Sequence, residues 1–203
     1  MPVSIPTLLL ALTTVLAPYG VANMPTVPTT SATSTSAGPV PPAVVINPRN
    51  WVPTDLSKVS AKMRVIVNLP KDAKLEKGGL GTVIVTLSLS YQIVVSKVSG
   101  TNVKQWMGDM KTMTVENDEY YTNPKVLKED ATGMVYSVRE KASATNRTPE
   151  SEAHFVYFLP AKTQMYSFQN LRPEENKTVS GSAYTDAIAL QVYDLLKASA
   201  KAQ

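Results

Sequence analysis

One histidine, no cysteine and three adjacent carboxylate pairs are the groups from which acid–base, nucleophilic or metal chemistry would have to be built in this sequence. His154 stands in Ser151-Glu152-Ala153-His154-Phe155, at the head of an apolar run and with no glycine-framed nucleophile beside it. It therefore reads as a strand residue and not as the base of a hydrolase. Asp118-Glu119, Glu129-Asp130 and Glu174-Glu175 are neighbours in polar stretches. Adjacent loop carboxylates do not face each other across a substrate as glycoside hydrolysis requires. Without cysteine there is no disulfide and no thiolate site, and a structural zinc would rest on a single histidine. Gly78-Gly79-Leu80-Gly81 falls between two strand-like segments, whereas phosphate-cradling glycine loops join a strand to a helix. No enzymatic activity, no metal, no cofactor and no small-molecule substrate are expected.

Charge is the more informative chemistry. The net charge is +4, with ten Lys or Arg against four acids over residues 49–111 and ten against twelve over residues 112–203. The excess of positive charge belongs to the first half of the folded region and suits a polyanionic partner. Lys71, Lys74 and Lys77 lie together in KDAKLEKGGLG, a basic loop whose glycines permit a sharp return.

The elements that must position these residues are strands. From Val83 to Val95 every second residue is apolar, with Thr, Ser and Gln between, which predicts a single strand over Thr82–Ser96 of roughly 50 Å. Lys62–Leu69 alternates in the same way, so the basic loop is expected to join two strands of one hairpin. Residues 43–46 read as a short edge strand, with Trp51 anchoring the exit of the chain before it. Val103, Trp106, Met107 and Met110 follow helical spacing behind Thr101 or Asn102, which predicts a short helix crossing the sheet. Residues 116–130 read as a polar excursion between strands, and strands resume at 134–138, 154–159 and 163–168. A helix capped by Ser180 or Ser182 closes the chain with the stripe Tyr184, Ile188, Val192, Leu195 and Leu196. Helices and strands do not alternate, so the fold class is mainly β: an antiparallel β-sandwich, jelly-roll-like, with a crossing helix and a C-terminal helix.

The first 42 residues are different in kind. Ten of the fifteen prolines precede Thr54, and Met24–Pro42 is almost wholly Pro, Thr, Ser, Ala and Gly. Such composition predicts a mobile arm, with the sandwich domain occupying residues 43–203. Before it, the apolar run Ile5–Ala17, followed by Gly20-Val21-Ala22, has the form of a signal h-region and cleavage site but lacks a basic n-region. A membrane enters only if this segment is a signal. If residue 1 is retained, Leu8, Leu9, Leu10 and Leu12 need burial outside a single sandwich core, and with Tyr184, Ile188, Val192 and Leu195 they are the candidates for assembly between subunits. Asn146-Arg-Thr148 and Asn176-Lys-Thr178 are sequons of the kind a chain this rich in Ser and Thr contains by chance.

In this layout of neutral arm, cysteine-free sandwich with long strands, crossing helix and basic first half, the chain resembles coat proteins of small non-enveloped RNA viruses. The resemblance covers residues 24–203 and rests on organisation, not on a motif; unlike many such arms, this one is not Arg-rich. It implies a capsid subunit that self-assembles as a homo-oligomeric shell, encloses RNA without sequence specificity and resides in the virion. RNA contact would then fall to Lys58, Lys62, Arg64, Lys71, Lys74 and Lys77. The competing expectation is an exported β-sandwich adhesion or binding domain on a Thr/Pro stalk, secreted or held at the cell surface.

Overall fold

A computed structural model describes residues 46–88, 91–117, 119–142, 151–171 and 184–203. The apolar run, the arm, Leu8, Leu9, Leu10, Leu12, Asp118, Asn146, Glu174, Glu175 and Asn176 lie outside them. The chain runs β1 (Trp51–Asp55), β2 (Val65–Pro70), β3 (Lys74–Lys77), β4 (Val83–Ser88), β5 (Tyr91–Val98), α1 (Val103–Thr114), β6 (Tyr121–Asp130), β7 (Gly133–Glu140), β8 (Ser151–Pro160), β9 (Met165–Leu171), α2 (Asp186–Ser199) and β10 (Lys201–Ala202). Two antiparallel sheets result, a seven-stranded one in the order β3-β4-β5-β9-β8-β7-β6 and a three-stranded one in the order β1-β2-β10. The mainly β, sandwich-like architecture with a crossing helix and a C-terminal helix is the expected one.

The large sheet is covered on both faces. Val83, Val85, Ile93, Val95, Val135, Phe155, Tyr157 and Phe168 pack toward β2 and α2 in the main core. On the other face Met134, Tyr136, Val138, Val156, Phe158 and Met165 pack against α1 through Met107, with Trp106 and Met110 beside it. Double burial explains why β7 is buried without a break from Gly133 to Val138 and does not alternate, Ser137 being the one polar residue in Met134–Val138. Helix α1 starts where its spacing placed it, with the Asn102 side chain accepting from the Gln105 N–H at 3.1 Å.

Several expectations are corrected. The single long strand over Thr82–Ser96 is a hairpin: β4 pairs with β5, Val83 opposite Val95 and Val85 opposite Ile93. Both halves place their odd-numbered residues on the same face, so alternation carries straight through the turn and conceals it. The basic loop does not join two strands of one sheet. It contains β3, which pairs with β4, while β2 pairs with β1 and β10. Residues 121–130, expected as an excursion, form the edge strand β6; its side chains are exposed or half-buried, which removes the apolar signal, and Asn123 with φ 52° marks a slip in pairing with β7. Helix α2 is capped by Thr185, not by Ser180 or Ser182. Of the edge strand expected over residues 43–46, all but Ile46 lies outside the described residues; Ile46 precedes a 3-10 turn at Pro48–Asn50, and Trp51 opens β1 as a buried residue.

The C-terminal stripe is the inner face of α2. Tyr184 and Val192 are buried in the main core, and Ile188 and Leu195 pack against it. These side chains thus face this domain's own core, Tyr184 and Val192 fully and Ile188 and Leu195 in part. Helix α2 is fastened further by Asp130, whose carboxylate accepts from the Thr132 N–H (2.9 Å) and hydroxyl (2.8 Å), the Tyr193 hydroxyl (2.7 Å) and the Lys197 ammonium (2.6 Å). Burial alone would raise the pKa of this carboxyl, but the hydrogen bonds from Lys197, Thr132 and Tyr193 outweigh it and hold Asp130 well below the usual carboxylate range. Tyr193 is pushed above its ordinary range, first by burial and then by its bond to that carboxylate and the negative charge.

Candidate basic docking site

The cations that the structure gathers are not those the sequence placed together. Lys62 and Arg64 flank Met63, which is buried in the main core. Anchoring the middle residue drives its two neighbours outward, and both are exposed. The Gln203 N–H donates to the Arg64 carbonyl at 3.0 Å, and β10 pairs with β2 at Ile66 and Val65, so the backbone around Arg64 is held by the C-terminal strand of the small sheet. Across the seam stands Lys97, near the end of β5 opposite Tyr166 of β9. Lys162 sits in the turn between β8 and β9, closed by the Ala161 N–H donating to the Gln164 carbonyl at 2.8 Å.

These four side chains, with Ala61, Pro160, Ala161, Thr163, Gln164, Ala202 and Gln203, line an open basin of about 850 Å³. No aspartate or glutamate side chain contributes to its wall. Among the described residues none of the four cations is ion-paired, whereas Lys74, Lys111, Lys125, Lys128 and Lys197 each have a carboxylate partner. Four unneutralised charges converging on one concavity raise the local potential, because the low-dielectric wall focuses their field outward. The arrangement can attract and hold anionic groups, carboxylates or phosphates, but it brings no nucleophile and base together.

Of the six cations singled out in the sequence, Lys62 and Arg64 reach this basin. Lys58 ends the short helix Leu56–Lys58 and lies near Asp55, whose carboxyl is held low by hydrogen bonds from the Ser57 hydroxyl and N–H, with Lys58 adding to the effect. Lys71 follows β2 and donates its N–H to the Asn50 carbonyl at 3.0 Å. Lys74 and Lys77 lie on the edge strand β3, and Lys74 is tied to Glu76 at 2.6 Å. Lys97 and Lys162 were missed because they lie far along the chain from the others and meet them only through the pairing of β5, β9 and β8. Lys97 gave the one usable signal, a charge standing at the next odd position after the apolar set that ends at Val95.

His154 lies half-buried on β8, 3.7 Å from the Glu152 carboxylate and between the rings of Tyr136 and Tyr184. Next to it β8 and β9 separate, and Asn170 bridges the gap: its side-chain oxygen accepts from the Phe155 N–H at 2.8 Å and its amide donates to the Ala153 carbonyl at 3.0 Å. The Tyr91 hydroxyl is buried nearby without a hydrogen bond among the described residues, since the Asn170 amide is already committed to the strand. Among the described residues no group of three or more His, Cys, Asp or Glu is placed to hold a metal ion, and no helix is long and apolar enough to cross a membrane.

No family model and no curated protein matches this sequence. A solved structure similar to it is that of the Ran-binding protein Mog1p of Saccharomyces cerevisiae, at 12% identity and a TM-score of 0.48, over 75% of this chain and 95% of that one. The coat-protein expectation is corrected here, since the likeness found is to a yeast Ran-binding protein and not to a capsid subunit. With it go the self-assembling RNA-enclosing shell, the virion location and the alternative of a secreted or cell-surface adhesion domain. An arm before an antiparallel sandwich is a layout that unrelated functions share, which is why it could not carry that identification.

Proposed function

We propose that this protein is a non-enzymatic docking module that binds a partner protein by receiving acidic side chains in the Lys62–Arg64–Lys97–Lys162 basin. The observation that carries this reading is the convergence of four unpaired cations on one concavity without a carboxylate side chain in its wall. Cations left unpaired beside one another repel, and an anionic partner relieves that repulsion. Exposed ion pairs contribute about 0.2–1 kcal/mol each, so four would supply about 1–4 kcal/mol, at best roughly millimolar affinity. The basin's contribution is therefore to association rate and choice of partner, with salt weakening both.

The test is a titration of isotope-labelled protein with an oligoglutamate peptide, followed by amide chemical shifts. Shifts should concentrate at residues 61–64, 97 and 160–164, diminish with added salt and vanish in the Lys97→Glu/Lys162→Glu variant. Shifts centred on Lys74 and Lys77 instead, or an unchanged response in the variant, would refute the reading. An oligouridylate of matched charge that binds more tightly than the peptide would also refute it, by making phosphate and not carboxylate the preferred anion.

A further inference from the structure

Ion pairs at this basin leave affinity to be found elsewhere, and the loop beside Lys62 holds an apolar side chain in an unusual state. Leu80 is 86% exposed and sits at φ 56°, ψ 17°, in the left-handed region that bulky residues avoid. Its neighbours are suited to their places. Gly81 has φ 82°, and a Cβ on Gly78 would collide with the Thr82 hydroxyl oxygen. Leu80 alone breaks the rule, in a loop where glycine or asparagine would be unstrained.

The loop is rigidly closed. The Gly78 N–H donates to the Thr82 carbonyl at 3.0 Å, while the Thr82 N–H and hydroxyl donate to the Gly79 carbonyl at 3.1 and 2.9 Å. It is also fixed against the basin: the Ser60 hydroxyl donates to the Gly81 carbonyl at 2.8 Å, and the stem of Lys62 passes 3.4 Å from where a Gly81 Cβ would stand. A strained, exposed leucine is thus held on a preorganised loop at the side of a cationic basin. Backbone strain that the fold itself does not recover through packing is a recurrent mark of binding surfaces.

We infer that Leu80 is the apolar anchor of the same docking surface, and that the partner presents an acidic amphipathic segment. Its carboxylates enter the basin and its apolar face closes over Leu80. The inference rests on the basin as the docking site. Opposite charge beside the leucine selects this occupant over a neutral apolar surface, and preorganisation of the loop lowers the entropy lost on binding.

The experiment uses the full chain and two fluorescent peptides of equal charge. One is amphipathic, with glutamates along one helical face and leucines along the other; in the second the leucines are serines. The amphipathic peptide should bind about tenfold or more tightly than its serine counterpart, the gain expected from burying one leucine. Leu80→Asn, which suits the left-handed backbone, should abolish that difference, leave the serine peptide unaffected and melt no lower than the wild type. Unchanged affinity of Leu80→Asn for the amphipathic peptide overturns the inference, and so does a lowered melting temperature, which would give Leu80 a packing role. A concentration-dependent dimer that Leu80→Asn abolishes would assign the residue to a second copy and overturn it too. Lys97→Glu/Lys162→Glu separates the two readings. If that variant keeps both peptides, the basin fails whatever Leu80 does; if it loses both while Leu80→Asn loses neither, the basin stands and the anchor fails.

Discussion

Replacing Asp130 with asparagine changes almost no volume, yet four contacts forbid it. Each oxygen of the carboxylate faces two donors: Oδ1 meets the N–H and hydroxyl of Thr132, and Oδ2 meets the Tyr193 hydroxyl and the Lys197 ammonium. An amide presents a donor at one of those positions, so whichever way it is turned two donors lose their acceptor. Hydrogen bonds to a charged group contribute about 1.5–3 kcal/mol when buried. Lys197 is 38% exposed and can turn to water, so its share is discounted. A loss of roughly 2–3 kcal/mol follows, or about 5–10 °C in melting temperature for a domain of this size. Acid supplies the control. The folded-state pKa of Asp130 is depressed, so its stabilisation is present above the unfolded value of about 3.9 and is lost as pH falls through the folded one. Between about pH 7 and pH 3 the gap between wild type and Asp130→Asn should narrow by about 1 kcal/mol, because the unfolded carboxyl is mostly protonated at the lower pH while the folded one stays largely ionised. Urea unfolding at both pH values measures this. A variant as stable as the wild type at neutral pH, or a gap that does not narrow in acid, would refute the reasoning.

Two further substitutions probe the packing of the large sheet. Gly133→Ala would drive a Cβ into the Val156 carbonyl and to 2.8 Å from the Tyr193 ring. Since the carbonyl belongs to a paired strand and cannot yield, a loss of about 2–4 kcal/mol is expected by urea unfolding, and a loss under about 1 kcal/mol would show that α2 shifts freely on β7. Asn170→Ala leaves the Phe155 N–H and Ala153 carbonyl without partners in the gap between β8 and β9. It should cost roughly 2–4 kcal/mol and speed exchange of the Phe155 amide; an amide still protected to the wild-type degree would show that another group closes the gap.

Period and composition were sufficient for the class of fold. Alternation in Lys62–Leu69 and along Val83–Val95, helical spacing from Val103 to Met110 and the stripe from Tyr184 to Leu196 all report which face of a local element is buried, and burial is written residue by residue. What alternation could not report was a turn that preserves parity, hence the hairpin of β4 and β5, or an edge strand with little to bury, hence β6. The basin was half legible. Lys62 and Arg64 stand out in the sequence, but Lys97 and Lys162 join them only because β5 pairs with β9 and β9 with β8, a choice of partners made by the whole sheet. Leu80 shows the same division. Its glycine neighbours announced a turn, whereas its left-handed backbone, its exposure and its place beside Lys62 follow from how Ser60 and Thr82 bind the loop in three dimensions. Local chemistry settles which side chains must be covered; only the packed chain decides which charges are left uncovered together.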